Sequence, residues 1–127
     1  MMGRRSTLAA LVFAVSVAAC QSDPGAPRSI REVVGHVVSP HGDDGAVVLE
    51  IAGRGIEAIE ADSARVFVQR DGGALRVVLV RATPGTIAFR LRVLDRQALF
   101  NASVTAVANG ANQPRPSLDG YRVAWVR

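Results

Sequence analysis

GALRVVLVRATPGTIAFRLRV, residues 73–93, is the stretch that decides the fold class. In its second half, TIAFRLRV, apolar residues alternate with threonine, alanine and arginine, which is the period of two of a half-buried strand. Its first half, ALRVVLV, is apolar on both faces, as expected of a central strand. Between them, Pro84-Gly85 suits a type II turn, because proline presets φ and glycine takes the left-handed position. The stretch therefore predicts two neighbouring strands joined by a tight turn.

Short valine-rich runs separated by turn residues continue on both sides of this stretch. Asp71-Gly72-Gly73 is predicted to be a hairpin turn, since glycine adopts positive φ without steric cost. Strands separated by turn residues every 8–12 residues are typical of an all-β sandwich or barrel. The further runs are EVVGHVV (32–38), AVVLEIA (46–52), GIEAIEA (55–61), ARVFVQR (64–70), NASVTAVA (101–108) and GYRVAWV (120–126).

Two segments carry helix formers and leave their local structure open. Ile56 and Ile59 are three residues apart, which is compatible with one helical turn over residues 56–62. In residues 93–100, Leu94 and Ala98 would share a helical face. Each segment is therefore expected to form either part of a strand or one short turn of helix in a crossover.

Residues 73–93 followed by SLDGYRVAWV (117–126) resemble the sandwiches of the immunoglobulin-like and cohesin-like classes. In those classes a hairpin with a glycine-bearing turn precedes an amphipathic strand, and the terminal strand carries an aromatic residue. The layout is also similar to that of small envelope lipoproteins of bacteria. The resemblance implies a single immunoglobulin-like (cohesin-like) sandwich of seven or eight strands over residues 30–127, and it implies no particular partner.

The N-terminus has the features of a secretory signal. Arg4 and Arg5 precede twelve uncharged residues (8–19), a run too short to span a bilayer but of the length of a signal-peptide core. Val17-Ala18-Ala19-Cys20 resembles the lipobox of bacterial lipoproteins. The resemblance implies cleavage before Cys20, attachment of diacylglycerol to its thiol and acylation of its new amino group.

The predicted organisation is a signal peptide (1–19), a lipidated cysteine with a flexible tether (20–29) and the sandwich domain (30–127). The alternative is an ordinary secreted protein that loses or exposes an unmodified Cys20. Lipoproteins of this kind that carry aspartate after the cysteine can be retained at the inner membrane. Gln21 occupies that position here, so an outer-membrane location is favoured.

Composition excludes some classes of function. All 15 basic residues are arginine, and they are spread among 11 acidic residues along the chain. A nucleic-acid domain needs basic residues clustered on one face, so no nucleic-acid partner is expected. With a single cysteine no internal disulfide can form. The domain is expected to be a monomer stabilised by burial alone.

Two acidic clusters are candidates for chemistry. His41, Asp43 and Asp44, with His36 nearby, have side chains that bind zinc or calcium, but aspartate and glycine are also turn formers. A solvated hairpin loop is the favoured interpretation, and no metal site is expected. The second cluster consists of Glu57, Glu60 and Asp62. Paired carboxylates catalyse glycoside hydrolysis only when they face each other across a cleft. The favoured interpretation is a charged face beside Arg54 and Arg65.

Aromatic and basic residues give two further hypotheses. Tyr121 and Trp125 would stack on a sugar if they faced outward, but their alternation with Arg122 places them in the core. Arg90 and Arg92, with Arg76 or Arg81 from an adjacent strand, would form a basic stripe for anionic headgroups or polysaccharide. A solubilising face paired with acidic residues is the favoured interpretation.

The sequence thus predicts a lipid-anchored, non-catalytic binding or structural module of the bacterial cell envelope. It gives no catalytic residue, cofactor site or metal site, and the only modification site is Cys20. The alternative function is an accessory factor in envelope assembly or export that pairs a partner's strand at a sheet edge. The membrane is contacted through the lipid anchor, and the sequence does not identify a protein or polysaccharide partner.

Overall fold

The computed structural model describes residues 30–94 and 100–126. These residues form an all-β sandwich of eight strands in two antiparallel four-stranded sheets, which confirms the predicted sandwich of seven or eight strands. Sheet A has the order β3-β6-β1-β8 and sheet B the order β4-β5-β2-β7. The strands are β1 (Arg31–Val38), β2 (Asp44–Gly53), β3 (Ile56–Glu60), β4 (Arg65–Asp71), β5 (Ala74–Val80), β6 (Ala88–Val93), β7 (Phe100–Asn109) and β8 (Arg122–Trp125).

The pairing has the form of one folded ribbon. Hydrogen-bonded neighbours include β4 with β5, β3 with β6, β2 with β7 and β1 with β8. The chain therefore runs out and back as a two-stranded ribbon whose tip is the β4–β5 hairpin. Successive pairs of the ribbon alternate between the sheets: β1–β8 and β3–β6 belong to sheet A, and β2–β7 and β4–β5 belong to sheet B. Hydrogen bonds between β6 and β1 complete sheet A, and those between β5 and β2 complete sheet B.

Part of this order is that of an immunoglobulin constant domain. Such a domain has sheets of order A-B-E-D and C-F-G, so its second, fifth and fourth strands are neighbours, as are its third and sixth. The same neighbours occur here among β2 to β6. The arrangement departs from it at the remaining strands, because β1 lies between β6 and β8 and because β7 flanks β2.

The core lies between the sheets and is built by alternation along each strand. Phe89, Leu91 and Val93 of β6 are buried, as predicted, and they face Leu75, Val77 and Leu79 of β5 across the sandwich. Burial of such side chains contributes about 25 cal/mol per Å² of apolar surface, so this double layer is the main source of stability.

Gly35 makes room for the aromatic part of the core. It pairs with Phe89 on one side and Trp125 on the other. A Cβ at this position would lie 2.7 Å from Phe89 Cζ and 2.8 Å from a ring carbon of Trp125. The Trp125 ring instead meets both Phe89 and Phe100 edge-on, with centroids 5.7 and 4.9 Å away, a favoured aromatic geometry.

Two predicted hairpins are wrong. Residues 81–87 and 39–43 each cross from one sheet to the other, because β5 and β6, like β1 and β2, lie in different sheets. Gly85 does not have the positive φ of a type II turn. Instead Arg81 donates to the carbonyl oxygens of Thr83 and Thr86, which holds the longer crossing in shape. The hairpin over Asp71-Gly72-Gly73 is confirmed, with Gly72 at φ +59°.

Residues 56–60 form a strand rather than a helical turn. A register shift between Ile56 and Ala58 in the pairing with β6 marks a bulge. The extra residue of a bulge changes the alternation, so Ile56 and Ile59 both reach the core although they are three apart. In the other ambiguous segment, residues 95–99 lie outside the described residues.

Candidate functional site

The predicted lipidation site, Cys20, lies outside the described residues, as do the signal peptide and the tether. No helix among the described residues is long and apolar enough to cross a bilayer. The prediction of an anchor therefore stays a prediction. Since β1 begins at Arg31, a tether would leave the sandwich at the pole that also holds the Gly72-Gly73 turn.

At the opposite pole, Asp44 is a buried carboxylate, only 2% exposed. Tyr121 donates its hydroxyl to Asp44 Oδ1 at 2.7 Å, and Arg115 Nη2 donates to the same oxygen at 3.3 Å. Arg115 also donates to Asp43. The interpretation of these aspartates as solvated turn residues is wrong for Asp44, which Arg115 and Tyr121 of the distant segment 115–121 cover, whereas the Asp43 side chain is 65% exposed.

The same network fixes the protonation of its members. Burial raises the pKa of the Tyr121 hydroxyl, and the neighbouring Asp44 carboxylate raises it further. Burial disfavours the charged form of Arg115, but its hydrogen bond to Asp43 and the nearby carboxylates outweigh this and raise the pKa of the guanidinium. Both groups are thus held in the proton-bearing forms that bind the aspartates.

Backbone bonds join three crossing loops at this pole. Gly110 donates to the Asp43 carbonyl at 3.0 Å and Gly85 donates to the Asp44 carbonyl at 3.2 Å. Gly110 also packs so closely on Pro84 that a Cβ there would lie 2.5 Å from its Cγ. These backbone bonds, together with the bonds of Arg115 and Tyr121 to Asp44, hold the loops of this pole together.

His41 is exposed, and its ring lies 6.1 Å from that of Tyr121. His36 lies on the outer face of sheet A, opposite Ala88 and Ala124. In the part of the chain that the structure describes, no three His, Cys, Asp or Glu side chains are grouped so as to hold a metal ion. The carboxylates nearest to His41 already bind Arg115 and Tyr121.

The outer face of sheet A is charged and self-neutralising. Arg90 lies 2.5 Å from Asp62, 3.6 Å from Glu60 and 3.9 Å from Glu32. The hydrogen bond from Arg90 lowers the pKa of Asp62. Glu60 and Asp62 thus pair with Arg90 and not with the expected Arg54 and Arg65.

The hypothesis of a basic stripe is wrong, whereas the favoured face paired with acidic residues agrees with the contacts of Arg90. Arg90 and Arg92 belong to sheet A, whereas Arg76 lies on β5 of sheet B and Arg81 follows that strand. They cannot share a face because β5 and β6 are not neighbours. Tyr121 and Trp125 both pack against the core, as predicted, so neither offers an outward ring for a sugar.

The outer face of sheet B, in contrast, carries an apolar row among polar positions. Because Leu75, Val77 and Leu79 point inward, the alternate residues of β5 and their partners on β2, β4 and β7 point outward. One row crosses the whole sheet as Phe67, Val78, Val48 and Ala106, and Phe67 is 56% exposed. A contiguous exposed apolar surface of this kind marks an interaction site.

Sheet B also has an open edge at β4. Within the described ranges this strand pairs only with β5, and Val68 on it is 47% exposed. Beside it a groove of about 420 Å³ runs towards β3, lined by the buried Ile59 and Leu75 and by Val68. Arg70 spans the gap by donating to the carbonyl oxygens of Ile56 and Glu57 at 3.3 Å.

The sequence predicted β4 as one strand among several, and it did not predict that one edge of β4 is unpaired. The usable signal was Val66-Phe67-Val68, three apolar residues in a row, since strict alternation would leave one face polar. No protein family model, curated protein or solved structure matches the chain. The proposals on function therefore rest on the geometry of the open edge of β4 and of the apolar row on sheet B, and not on a relative of known function.

Proposed function

We propose that the chain is a lipid-anchored, non-catalytic binding module of the bacterial cell envelope, and that it binds through the open edge at β4. The anchor is acylated Cys20, favoured at the outer membrane, and residues 20–29 form the tether. The observation that carries the binding role is the unpaired side of β4 beside a groove whose lining includes Ile59, Val68 and Leu75. An uncovered edge strand is a template for the addition of another strand.

The hairpin geometry says which backbone groups are free. In a two-residue hairpin the residues that close the turn, here Asp71 and Ala74, form a hydrogen-bonded pair, and such pairs alternate along the strands. Val66, Val68 and Arg70 therefore direct their N–H and C=O groups away from β5. An added strand would bond to these groups and place alternate side chains in the groove lined by Ile59 and Leu75.

The non-catalytic assignment is supported by the state of the polar clusters. Asp43 and Asp44 are bound by Arg115 and Tyr121, and three carboxylates surround Arg90. Groups already satisfied in this way serve stability rather than proton transfer. The groove at β4 is instead lined by apolar side chains together with the charged Glu57 and Arg70, a mixture that suits recognition of a peptide strand.

A second candidate function is that of an accessory factor in envelope assembly or export. The same edge favours it, because an unfolded client strand and the strand of a stable partner would pair with β4 in the same way. The two functions differ in the bound protein: an assembly factor binds clients transiently during their export, whereas a binding module holds one folded partner.

The test is site-specific photo-crosslinking of the full-length chain in bacteria. Benzoylphenylalanine at Gln69 on β4 should give a crosslinked species whose mass differs from twice that of the chain, and the same probe at Ala88 on sheet A should not. Val68→Pro removes an N–H that faces away from β5, so it should abolish the crosslink while leaving the sheet intact. Val68→Ala keeps that N–H and should retain the product.

Equal crosslinking in the Val68→Pro and Val68→Ala chains would contradict strand addition. The melting temperature of both variants shows whether the domain is intact. Pulse-labelling separates the two functions, because crosslinks to newly exported proteins that decay with time indicate an assembly factor, whereas a constant crosslinked species indicates a stable partner.

A further inference from the structure

The outer face of sheet B is self-complementary, because a two-fold rotation places matching residues of two copies opposite each other. Its strand order, β4-β5-β2-β7, is reversed by a two-fold rotation about an axis parallel to the strands and lying between β5 and β2. Such a rotation lays β5 of one copy over β2 of a second copy and β4 over β7. It also keeps each residue at its level along the strands, because the axis runs in their direction.

Charges match under this rotation. Arg76 on β5 and Glu50 on β2 are register partners at one level of the outer face. Arg76 of one copy would therefore lie over the second copy's Glu50, and Glu50 over the second copy's Arg76. Opposite charges then meet twice at the centre of the contact, which favours this orientation over others.

Side-chain sizes match as well. Phe67 and Ala106 stand at the two ends of the apolar row, on β4 and β7. The rotation lays the exposed Phe67 ring over the second copy's Ala106, a large side chain over a small one. At the middle of the row Val78 lies over the second copy's Val48, and the next row on one side contains Val80, Ala46 and Ala108. Small side chains allow two sheets to pack at about 10 Å.

We infer that two copies of this chain pack face to face through the outer surfaces of sheet B, as a two-fold dimer. The inference is separate from strand addition at β4, since it uses the face and not the edge. It differs from the monomer expected from the sequence. The sequence alone does not show the apolar row, because the row is formed by four strands whose order in the sheet must be known first.

The size of the face indicates that the dimer is weak. Four strands about 4.8 Å apart and about eight residues long cover roughly 500 Å² per copy, or about 1,000 Å² in total. This is near the lower limit of roughly 1,000 Å² for a specific interface. Dilute chains are therefore monomers, and association requires a raised local concentration.

The proposed lipid anchor supplies that concentration. A two-fold axis along the strands leaves both copies with β1 starting at the same pole, so both tethers reach one membrane. Confinement to a membrane raises the effective concentration of each copy for the other. In an antiparallel pairing of two β4 edges, one copy would instead be inverted relative to the other. The two tethers would then start at opposite ends of the dimer and would not reach the same membrane.

The test is energy transfer between lipidated full-length chains in phosphatidylcholine vesicles, with donor and acceptor dyes attached at the C-terminus. Wild-type chains should transfer at least three-fold above the level of randomly placed chains. Ala106→Arg puts a charge under the Phe67 ring and should reduce transfer to the random level. Ala88→Arg, an exposed alanine on the outer face of sheet A, is the matched control and should leave transfer unchanged.

A charge exchange tests the orientation. Glu50→Arg chains carry two cations at the centre of the face and Arg76→Glu chains carry two anions, so each alone should transfer at the random level. A mixture of the two should recover wild-type transfer, because each contact then joins opposite charges. A folding defect cannot produce this rescue, since mixing does not repair a misfolded chain.

Random-level transfer by the wild type, or failure of the mixture to recover, would overturn the dimer. A Phe67→Trp chain that also carries Trp125→Phe identifies the other occupants of the face. Quenching of its single tryptophan by brominated lipid would place the face on the bilayer and exclude the dimer. Shielding of the tryptophan only when envelope proteins are added would assign the face to another protein, which also excludes the dimer.

Discussion

Tyr121 donates its hydroxyl to Oδ1 of Asp44 at 2.7 Å, although 77 residues separate the two in the chain. The bond ties the segment before β8 to the first residue of β2. It also satisfies a carboxylate that is removed from water at the pole of the sandwich. A buried acceptor that loses a donor keeps its desolvation cost, so this contact has a measurable effect on stability.

Tyr121→Phe should therefore destabilise the domain by about 1.5 kcal/mol. Burial and Asp44 raise the pKa of Tyr121 in the folded state above the value of about 10 in the unfolded chain. The corresponding stability is present below pH 10 and is lost as the pH rises through the folded pKa. Urea unfolding between pH 7 and 11 measures both effects. If Tyr121→Phe loses as much stability as the wild type between pH 7 and 11, the alkaline loss of stability does not come from Tyr121.

Asp43 and His41 stand in the same loop but should respond differently to removal. Asp43→Ala should lower the melting temperature by a few degrees, because Arg115, whose guanidinium is largely covered, loses one of its two carboxylate partners. His41→Ala should change it by less than about one degree, because the side chain is exposed. Thermal melting followed by circular dichroism compares the two. Equal decreases in the two variants would mean that disturbance of the loop, and not loss of the ion pair, lowers the melting temperature.

Gly35→Ala should cost about 1–3 kcal/mol, since the new Cβ meets Phe89 and Trp125 at less than 3 Å and the rings must shift. The shift should also change the near-ultraviolet circular dichroism of Trp125. Gly73→Ala is the matched control, because a Cβ there meets nothing within 4 Å and its φ is not positive. A Gly35→Ala domain as stable as the control would show that the aromatic layer is not tightly packed.

Cys20→Ser should leave an unprocessed precursor that takes up no labelled fatty acid, while the wild type is processed and partitions into detergent. One acyl chain gives only marginal membrane binding, since each buried methylene contributes about 0.8 kcal/mol, so stable attachment needs the several chains that lipoprotein processing adds. Labelling with radioactive palmitate followed by phase partition measures this. Equal labelling of both chains, or a wholly soluble wild type, would remove the anchor from the proposed function.

The local features of the fold were readable from the sequence. Alternation in residues 86–93 predicted the buried face of β6, and Asp71-Gly72-Gly73 predicted the β4–β5 turn, because both depend on contacts within a few residues. The partner of each strand was not readable. Pro84-Gly85 has the composition of a tight turn, yet the crossing that contains it joins opposite sheets.

The buried network was missed for the same reason. Asp43 and Asp44 have the neighbours of a solvated turn, and the residue that covers them, Arg115, is more than 70 positions away. Only the pairing of β7 with β2 brings residues 110–115 to this loop. The open edge at β4 likewise depends on which strand lies beside it, and local alternation carries no such information.

The ribbon form of the fold determines the order in which the domain can be completed. The β4–β5 hairpin closes a loop of two residues, whereas β1 and β8 pair positions about 90 residues apart. Because closing a short loop loses less chain entropy, assembly starts at the tip of the ribbon and proceeds towards the two termini. The first strand along the chain, β1, then pairs with the last strand, β8, at a late step. Trp125 fills the space left by Gly35 only when β8 pairs with β1, so the aromatic part of the core is among the last parts of the domain to form.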